Sequence, residues 1–307
     1  MKIQSLSICV PSKGCMNKCK FCVSRQHHSD YPTIYSPLES RRNRNHGIEL
    51  NEEYSSAVKT YATRMEFARD NGCNTLMFTG TCEPQQNVEF MDFIAGINNR
   101  LNSPFKIIVV QTTGRLVTDV ILRKWKDMGV TTIALSVNSF VDSENVWVMG
   151  TENSLFELKP FCDTIKSLGF NLRLCLNLTK YFDKYSSNIR QLFDVCKHYY
   201  GADQVTFREL YADGDTPEAE WVRSSKAVSN FPFVVRAFIK QCEAWGESRY
   251  LRTLPHGIEL YGFNGMSVAI DRDCMNQKKV DNVFRYLVLR ENGKLYTDWT
   301  DASSLLF

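Results

Sequence analysis

A strong charge imbalance is the first thing this sequence lacks: its formal net charge is only +3 over 307 residues. A dedicated nucleic-acid binder carries a markedly basic face, so the overall balance gives RNA or DNA little support. Long apolar segments are missing too. The opening MKIQSLSICVPSKG has no hydrophobic stretch of the signal-peptide kind, and nothing in the chain reads as a transmembrane span. There is no second CxxC pair, no HxxxH pattern and no low-complexity segment. What remains is an ordinary globular composition, 43% hydrophobic and 23% charged, enough for a sizeable core in one large barrel or two average domains. The 11 cysteines are an odd number scattered through a long chain. That usage fits reduced thiols in a cytoplasm and argues against a secreted disulfide scaffold.

One pattern recurs: an apolar strand, a polar loop, an amphipathic helix, then glycine before the next strand. Helical spacing shows in Phe90, Ile94, Ile97 and Leu101, in Val117, Ile121, Trp125 and Met128, and in Leu155, Leu158, Phe161, Ile165 and Leu168. Strands are expected near 5–10, 75–79, 105–111, 131–138, 171–178 and 204–210. Serial strand–helix units imply parallel pairing, in a barrel or a doubly wound sheet.

The strands alternate where parallel strands covered on both faces would be continuously aliphatic. Leu172, Leu174, Leu176 and Leu178 share one face of the fifth strand; Asn171, Arg173, Cys175 and Asn177 share the other. Ile133, Leu135 and Val137 similarly oppose Thr132, Ala134, Ser136 and Asn138, and Arg208 shares the polar parity on the sixth strand. Helices need the apolar face, so small and polar residues look inward. A packed barrel interior would be Val-, Ile- and Leu-rich; this one reads as a cavity for something polar. Inward Arg173 and Arg208 each need an anion, from the protein or from a substrate. Inward Cys175 is a candidate hydrogen-atom donor, weighed against the inert small hydrophobe that a buried cysteine more often is.

The loop after the first strand reads Cys15-Met-Asn-Lys-Cys19-Lys-Phe-Cys22. Three thiolates within eight residues can wrap one metal centre. A structural zinc site wants four ligands, whereas three on a four-iron cluster leave one iron open for an exogenous ligand. Ligand counting alone leaves zinc or an electron-transfer cluster open.

This Cx3CxΦC loop, with Phe21 as its aromatic, resembles the signature of the radical S-adenosylmethionine (SAM) superfamily. Thr79-Gly80-Thr81-Cys82-Glu83-Pro84 resembles that family's Gly-Gly-Glu-Pro segment, with Cys82 in place of the second glycine. The resemblance spans residues 5–212. It implies a partial (β/α)6 TIM-like barrel of the α/β class, a [4Fe–4S] cluster on Cys15, Cys19 and Cys22, and SAM as cofactor. It further implies SAM contacts from Phe21, Gly80, Thr81, Cys82, Glu83, Ser136, Asn138, Arg173 and Asn177. Arg208 and Cys175 are the candidates for direct participation in the reaction. The implied chemistry is reductive cleavage of SAM to a 5′-deoxyadenosyl radical that abstracts hydrogen from substrate. A one-electron reductant, flavodoxin- or ferredoxin-like, is the implied partner.

After residue 212 the repeat stops. Residues 213–307 are expected as a C-terminal α/β extension closing the barrel, with a helical region from Thr216-Pro217 and a hairpin turning at Asn292-Gly293. The stretch after the cluster loop, Phe207-Arg208-Glu209-Leu210 and this hairpin resemble the branch containing the molybdenum-cofactor cyclase. That branch's auxiliary cluster is not supported, since only Cys242 and Cys274 follow residue 212. The expected substrate is a small anionic or nucleotide-like metabolite. RNA or a peptide is the alternative, hinted at by the basic run Arg41–His46; a non-enzymatic Fe–S or zinc module is the third reading.

Overall fold

A computed structural model describes residues 2–12, 14–27, 52–151, 155–226, 230–254, 257–272, 283–299 and 301–307. The basic run 41–46 and Cys274 lie outside the described residues.

The repeat is laid out as β1 (Lys2–Cys9), α1 (Val23–Gln26), α2 (Glu52–Asp70), β2 (Thr75–Thr79), α3 (Val88–Asn98), β3 (Ile107–Thr112), α4 (Asp119–Asp127), β4 (Thr132–Val137), α5 (Asp142–Val148), α6 (Leu158–Ser167), β5 (Asn171–Asn177), α7 (Ile189–Asp194) and β6 (Gln204–Arg208). The remainder forms α8 (Pro217–Ser225), α9 (Phe231–Glu243), β7 (Ser248–Thr253), β8 (Glu259–Phe263), β9 (Met266–Asp271), β10 (Val283–Leu289) and β11 (Leu295–Tyr296). Local chemistry sets several helix starts. Thr118 accepts from Ile121 N, Asn87 from Phe90 N, and Thr216 from Ala219 N with Pro217 in the first turn. The third amphipathic stretch begins later than its spacing suggested: Leu155 precedes α6 and is 98% exposed.

Strands β1 to β6 pair in parallel and in sequence order. Leu172, Leu174 and Leu176 are fully buried on the helix side of the sheet. Each such side chain stabilises the fold by about 1.5–3 kcal/mol. The inward side is mixed. Val109, Ala134 and Cys175, with Met77 against them, form a small apolar patch, flanked along β5 by the polar inward residues Arg173 and Asn177.

The tail does something its sequence did not suggest: it lengthens the barrel sheet at both ends. Among the described residues the sheet runs β11-β10-β1-β2-β3-β4-β5-β6-β9-β8-β7. The expected hairpin is β10–β11, with Gly293 at φ 72° in its turn, and β10 pairs in parallel with β1. At the other end β9 pairs in parallel with β6. The sheet does not close. Strands β9 and β10 lie at opposite ends of the curl and are not paired, yet Arg285 Nη2 of β10 stands 2.5 Å from Asp271 Oδ2 of β9. That ion pair bridges the gap.

Candidate active site

A cavity of about 580 Å³ opens at the C-terminal ends of the strands, where barrel enzymes build their sites. Cys15, Cys19, Cys22 and Phe21 form one wall; Gly80 to Glu83, Ser136, Arg173, Asn177 and Arg208 also line it.

The three loop cysteines are free thiols, Cys15 exposed and the others half-buried. Burial raises the pKa of each above the ordinary thiol value, and mutual repulsion with neighbouring thiols adds to it for Cys15 and Cys19. A bound cation is therefore what would draw off their protons. Among the described residues no three His, Cys, Asp or Glu side chains converge closely enough for a single ion. A tetrahedral zinc would hold its thiolates only about 4 Å apart, given its Zn–S bonds of about 2.3 Å. Three thiols facing one cavity from one short loop can hold a four-iron cluster with one iron left open.

The loop is held from behind. Gly150, after α5, has φ 64°, and a Cβ there would come within 2.3 Å of Lys18 O. Lys18 N and Lys20 N donate to Met149 O and Val148 O at 3.1 and 2.9 Å. Gln86 reaches the loop from the other side, accepting from Met16 N at 3.0 Å and donating to Gly14 O at 2.7 Å.

Glu83 is the hub of this arrangement, 7% exposed. Its Oε2 accepts from Thr112 Oγ1 at 2.6 Å, Thr113 N at 3.0 Å and Gln85 Nε2 at 3.1 Å. Its Oε1 accepts from Asn17 Nδ2 at 3.0 Å. A carboxylate has about four acceptor positions, and on Oε1 only one is used by these bonds. That oxygen keeps room for one further donor from the cavity. Asn17 also donates to Thr113 Oγ1 at 2.9 Å and accepts from Arg115 Nη1 at 3.3 Å. A single carboxamide thus joins the cluster loop to the ends of β2 and β3.

Gly80 has φ 138°, and a Cβ there would lie 3.2 Å from Cys9 Cα and Val10 N, so the turn is built for a residue without one. Cys82 does not adopt a left-handed φ, so the site does not require glycine there. Its thiol donates to Val10 O at 3.1 Å, and burial pushes its pKa up to about 12.

Two expected site residues are not among those that line the cavity. Asn138 is fully buried: its Nδ2 donates to Asn145 Oδ1 at 3.2 Å and its Oδ1 accepts from Asn177 Nδ2 at 2.9 Å. It lies one residue beyond β4, where strand parity no longer governs direction, and it steadies Asn177 through their shared hydrogen bond. Cys175 belongs to the apolar patch with Val109 and Ala134 and is covered by them.

The two arginines have different surroundings. Arg208 Nε lies 3.9 Å from Asp271 Oδ2, across the β6–β9 pairing. Arg173 donates from Nε to Gln204 Oε1 at 2.7 Å and has no ion pair with any described residue. Burial lowers its pKa, and Arg208 nearby lowers it further. Glu209 pairs with Arg272 at 3.8 Å. Sequence reasoning missed Asn17, Thr112, Thr113, Gln85 and Arg115, together with Asp271, Arg285 and Arg252 of the tail. Asn17 alone carried a signal, by lying inside the cysteine motif.

Residues 9–186 match the Radical SAM superfamily, and the chain belongs to it. It is accordingly a radical SAM enzyme, using a [4Fe–4S] cluster and SAM. No curated protein matches the sequence. Among solved structures it resembles anSMEcpe with bound SAM and the Cp18Cys peptide, with TM-score 0.58 and 14% identity over 98% of this chain and 75% of that one. SuiB of Streptococcus suis bound to SAM gives 0.59 and 13%, covering 96% of this chain and 60% of SuiB. HydG, a maturase of the [FeFe]-hydrogenase, gives 0.51 and 14%, over 76% and 49%. At these identities the likeness is one of fold. No helix among the described residues is long and apolar enough to cross a membrane.

Proposed function

We propose that this enzyme acts on a small anionic or nucleotide-like substrate seated in the cavity, with Arg173 and Arg208 taking its negative group. The observation that carries the reading is Arg173, a half-buried guanidinium facing the cavity without a carboxylate partner among the described residues. An unpaired buried ion costs several kcal/mol, and a planar fork is the natural receptor for phosphate or carboxylate. Tyr286 and Trp299, ring centroids 6.1 Å apart, add aromatic faces to the same wall for a base-like group.

On this reading Cys15, Cys19 and Cys22 hold the cluster. When bound, cluster and SAM together supply a radical that abstracts hydrogen. The chain's own part is placement. Glu83 Oε1 offers its remaining acceptor position to the SAM amino group, Gly80 and Thr81 let the backbone come close, and Ser136 and Asn177 supply polar contacts from β4 and β5. Asn138 acts through Asn177.

The test is binding of a panel of nucleoside monophosphates, inorganic phosphate and small dicarboxylates to the anaerobic, SAM-loaded protein by calorimetry. At least one anion should bind, Arg173→Met should weaken it tenfold or more, and Arg173→Lys should restore part of the loss. If no anion binds, or Arg173→Met leaves affinity intact, the reading fails. SuiB has also been solved with its precursor peptide SuiA, so a synthetic peptide series belongs in the same panel, and peptide binding alone would replace the small-molecule reading.

A further inference from the structure

Residues of the tail line part of the cavity, among them Arg252, Leu254, Ile258 and Leu260. Strand β7, which carries Arg252, is an edge of the sheet and pairs antiparallel with β8. Its register slips at one point. Tyr250 lies opposite Tyr261, but Arg252 lies opposite Leu260, so Leu251 is an extra residue in the strand. In an unbroken ladder Leu251 would face Leu260, and Arg252 would face Glu259 on the other side of the sheet. The bulge turns the guanidinium over. It brings Arg252 onto the face of Leu260 and Ala269, which both line the cavity, and away from a carboxylate. Glu259 is occupied without it, by Arg236 Nη2 at 2.7 Å and by the Tyr261 hydroxyl at 2.7 Å.

An exposed arginine on an edge strand ordinarily keeps the edge soluble. Arg249 of the same strand has that place, opposite Gly262 and outside the cavity lining. Arg252 instead joins a cavity whose carboxylates are already engaged. Glu83 is held by Asn17, Gln85, Thr112 and Thr113. Glu209 lies 3.8 Å from Arg272, and Asp271 is shared by Arg285 and Arg208. Among the described residues Arg252, like Arg173, has no carboxylate partner. The two arginines are set well apart. Four strand steps, from β5 through β6, β9 and β8 to β7, separate their backbones, about 19 Å along the sheet at about 4.8 Å a step. In the two ladder rows that join them the cavity-lining residues are uncharged: Gln204, Thr206, Ser267, Ala269 and Leu260.

We infer that Arg252 is a specificity-determining residue that binds a second anionic group of the substrate, which is therefore a molecule with negative groups at two ends and a neutral middle. The inference rests on the anionic substrate proposed above and narrows it. Arg173 and Arg208 take one group, with Gln204 holding Arg173 Nε in place. Arg252, an exposed side chain, takes the other at the mouth of the cavity. A guanidinium suits a carboxylate or a phosphate equally, through two parallel hydrogen bonds. The span between the two sides favours separate groups over one group bridging both. A molecule with a single anionic group engages one side and leaves the other in water, so the enzyme selects by length as well as by charge.

Calorimetry on the anaerobic, SAM-loaded protein tests this with linear dicarboxylates from succinate to sebacate, the monocarboxylates of the same chain lengths, and inorganic phosphate. At least one dicarboxylate should bind tenfold or more tightly than the monocarboxylate of its length. Arg252→Met should remove that advantage while changing affinity for monocarboxylates and phosphate less than twofold, and Arg252→Lys should restore part of it. Iron content and thermal midpoint of both variants should match the wild type, since the side chain is exposed. Arg249→Met, on the same strand but outside the cavity, should leave every affinity within twofold of the wild type. Equal losses for dicarboxylates and phosphate in Arg252→Met would mean that one group bridges both sides, and would overturn the inference. An Arg249→Met effect as large as that of Arg252→Met would reduce it to overall charge and overturn it too. If monocarboxylates and phosphate bind through Arg173 but no dicarboxylate gains, Arg252 has no such role while the anionic reading stands. If none of these anions binds, the anionic reading has failed and the inference falls with it.

Discussion

Replacing Asn17 with alanine should damage cofactor binding and stability together, because one carboxamide serves both. The side chain is 4% exposed and makes three bonds. Its bond to the Glu83 carboxylate, at 3.0 Å, belongs to the charge-assisted class worth about 1.5–3 kcal/mol. The bond to Thr113 Oγ1 at 2.9 Å contributes about 1 kcal/mol, and the one from Arg115 at 3.3 Å less. The sum is roughly 3 kcal/mol, read as a lower urea midpoint of the apo-protein with an unchanged slope. SAM affinity of the reconstituted protein should fall as well, since Glu83 Oε1 loses the donor that fixes its direction. A double-mutant cycle of Asn17→Ala and Glu83→Gln isolates the link, with a coupling of about 1–2 kcal/mol expected in SAM binding. Asn17→Asp should be worse than alanine above neutral pH, by setting two carboxylates about 3 Å apart, and should recover as acid protonates the pair. Strict additivity of the two substitutions, within about 0.3 kcal/mol, would refute the idea that the loop and Glu83 act as one unit.

Iron and sulfide analysis checks the cluster: alanine at Cys15, Cys19 or Cys22 should abolish loading, and Cys242→Ala should not, because Cys242 is buried in the core away from the cavity. Alkali should unfold the apo-protein early. Burial raises Cys73 from 9.0 to about 11 and Cys162 to about 12. A thiol whose folded pKa lies above its unfolded one stabilises fully below the unfolded value and loses that contribution as pH climbs through the folded one. The unfolding free energy should therefore hold to about pH 9 and fall from there towards pH 12, by roughly 4 kcal/mol for Cys162 alone, with the thermal midpoint following it down. A Cys162→Ala protein that declines just as steeply would show that the thiol is not responsible.

How much of this could be read from residues alone depended on how local the causes were. The alternation of Leu172, Leu174 and Leu176 with Arg173, Cys175 and Asn177 put the cavity on the right face of β5, because parity is a property of the strand itself. Parity stopped helping where the strand stopped: Asn138, one residue past β4, turns to Asn145 and Asn177 instead of the cavity. Packing between neighbouring strands was also illegible: Cys175 is on the inward parity of β5 but is covered by Val109 and Ala134. The largest miss was the partner of Arg208. Asp271 sits in β9, and nothing in the spacing of residues 259–271 says that this strand will lie beside β6 and not on its own in a lid. Long-range pairing between segments separated by a helical region leaves no periodic mark. Cys82 was legible as a departure, and its ordinary φ with a thiol turned to Val10 O shows why the turn tolerates it.

The Arg285–Asp271 contact gives the enzyme an adjustable girth. Paired strands meet only in discrete registers, because each backbone bond fixes the next. Two side chains meeting across a slit are under no such rule. The gap at this height is spanned by the reach of a guanidinium and a carboxylate, with no ladder bond between β9 and β10. The width of the chamber is thereby separated from the integrity of the fold. A substitution at position 271 or 285 would resize the chamber for a bulkier or slimmer guest while β1 to β6, and the loop of cysteines they carry, keep their places.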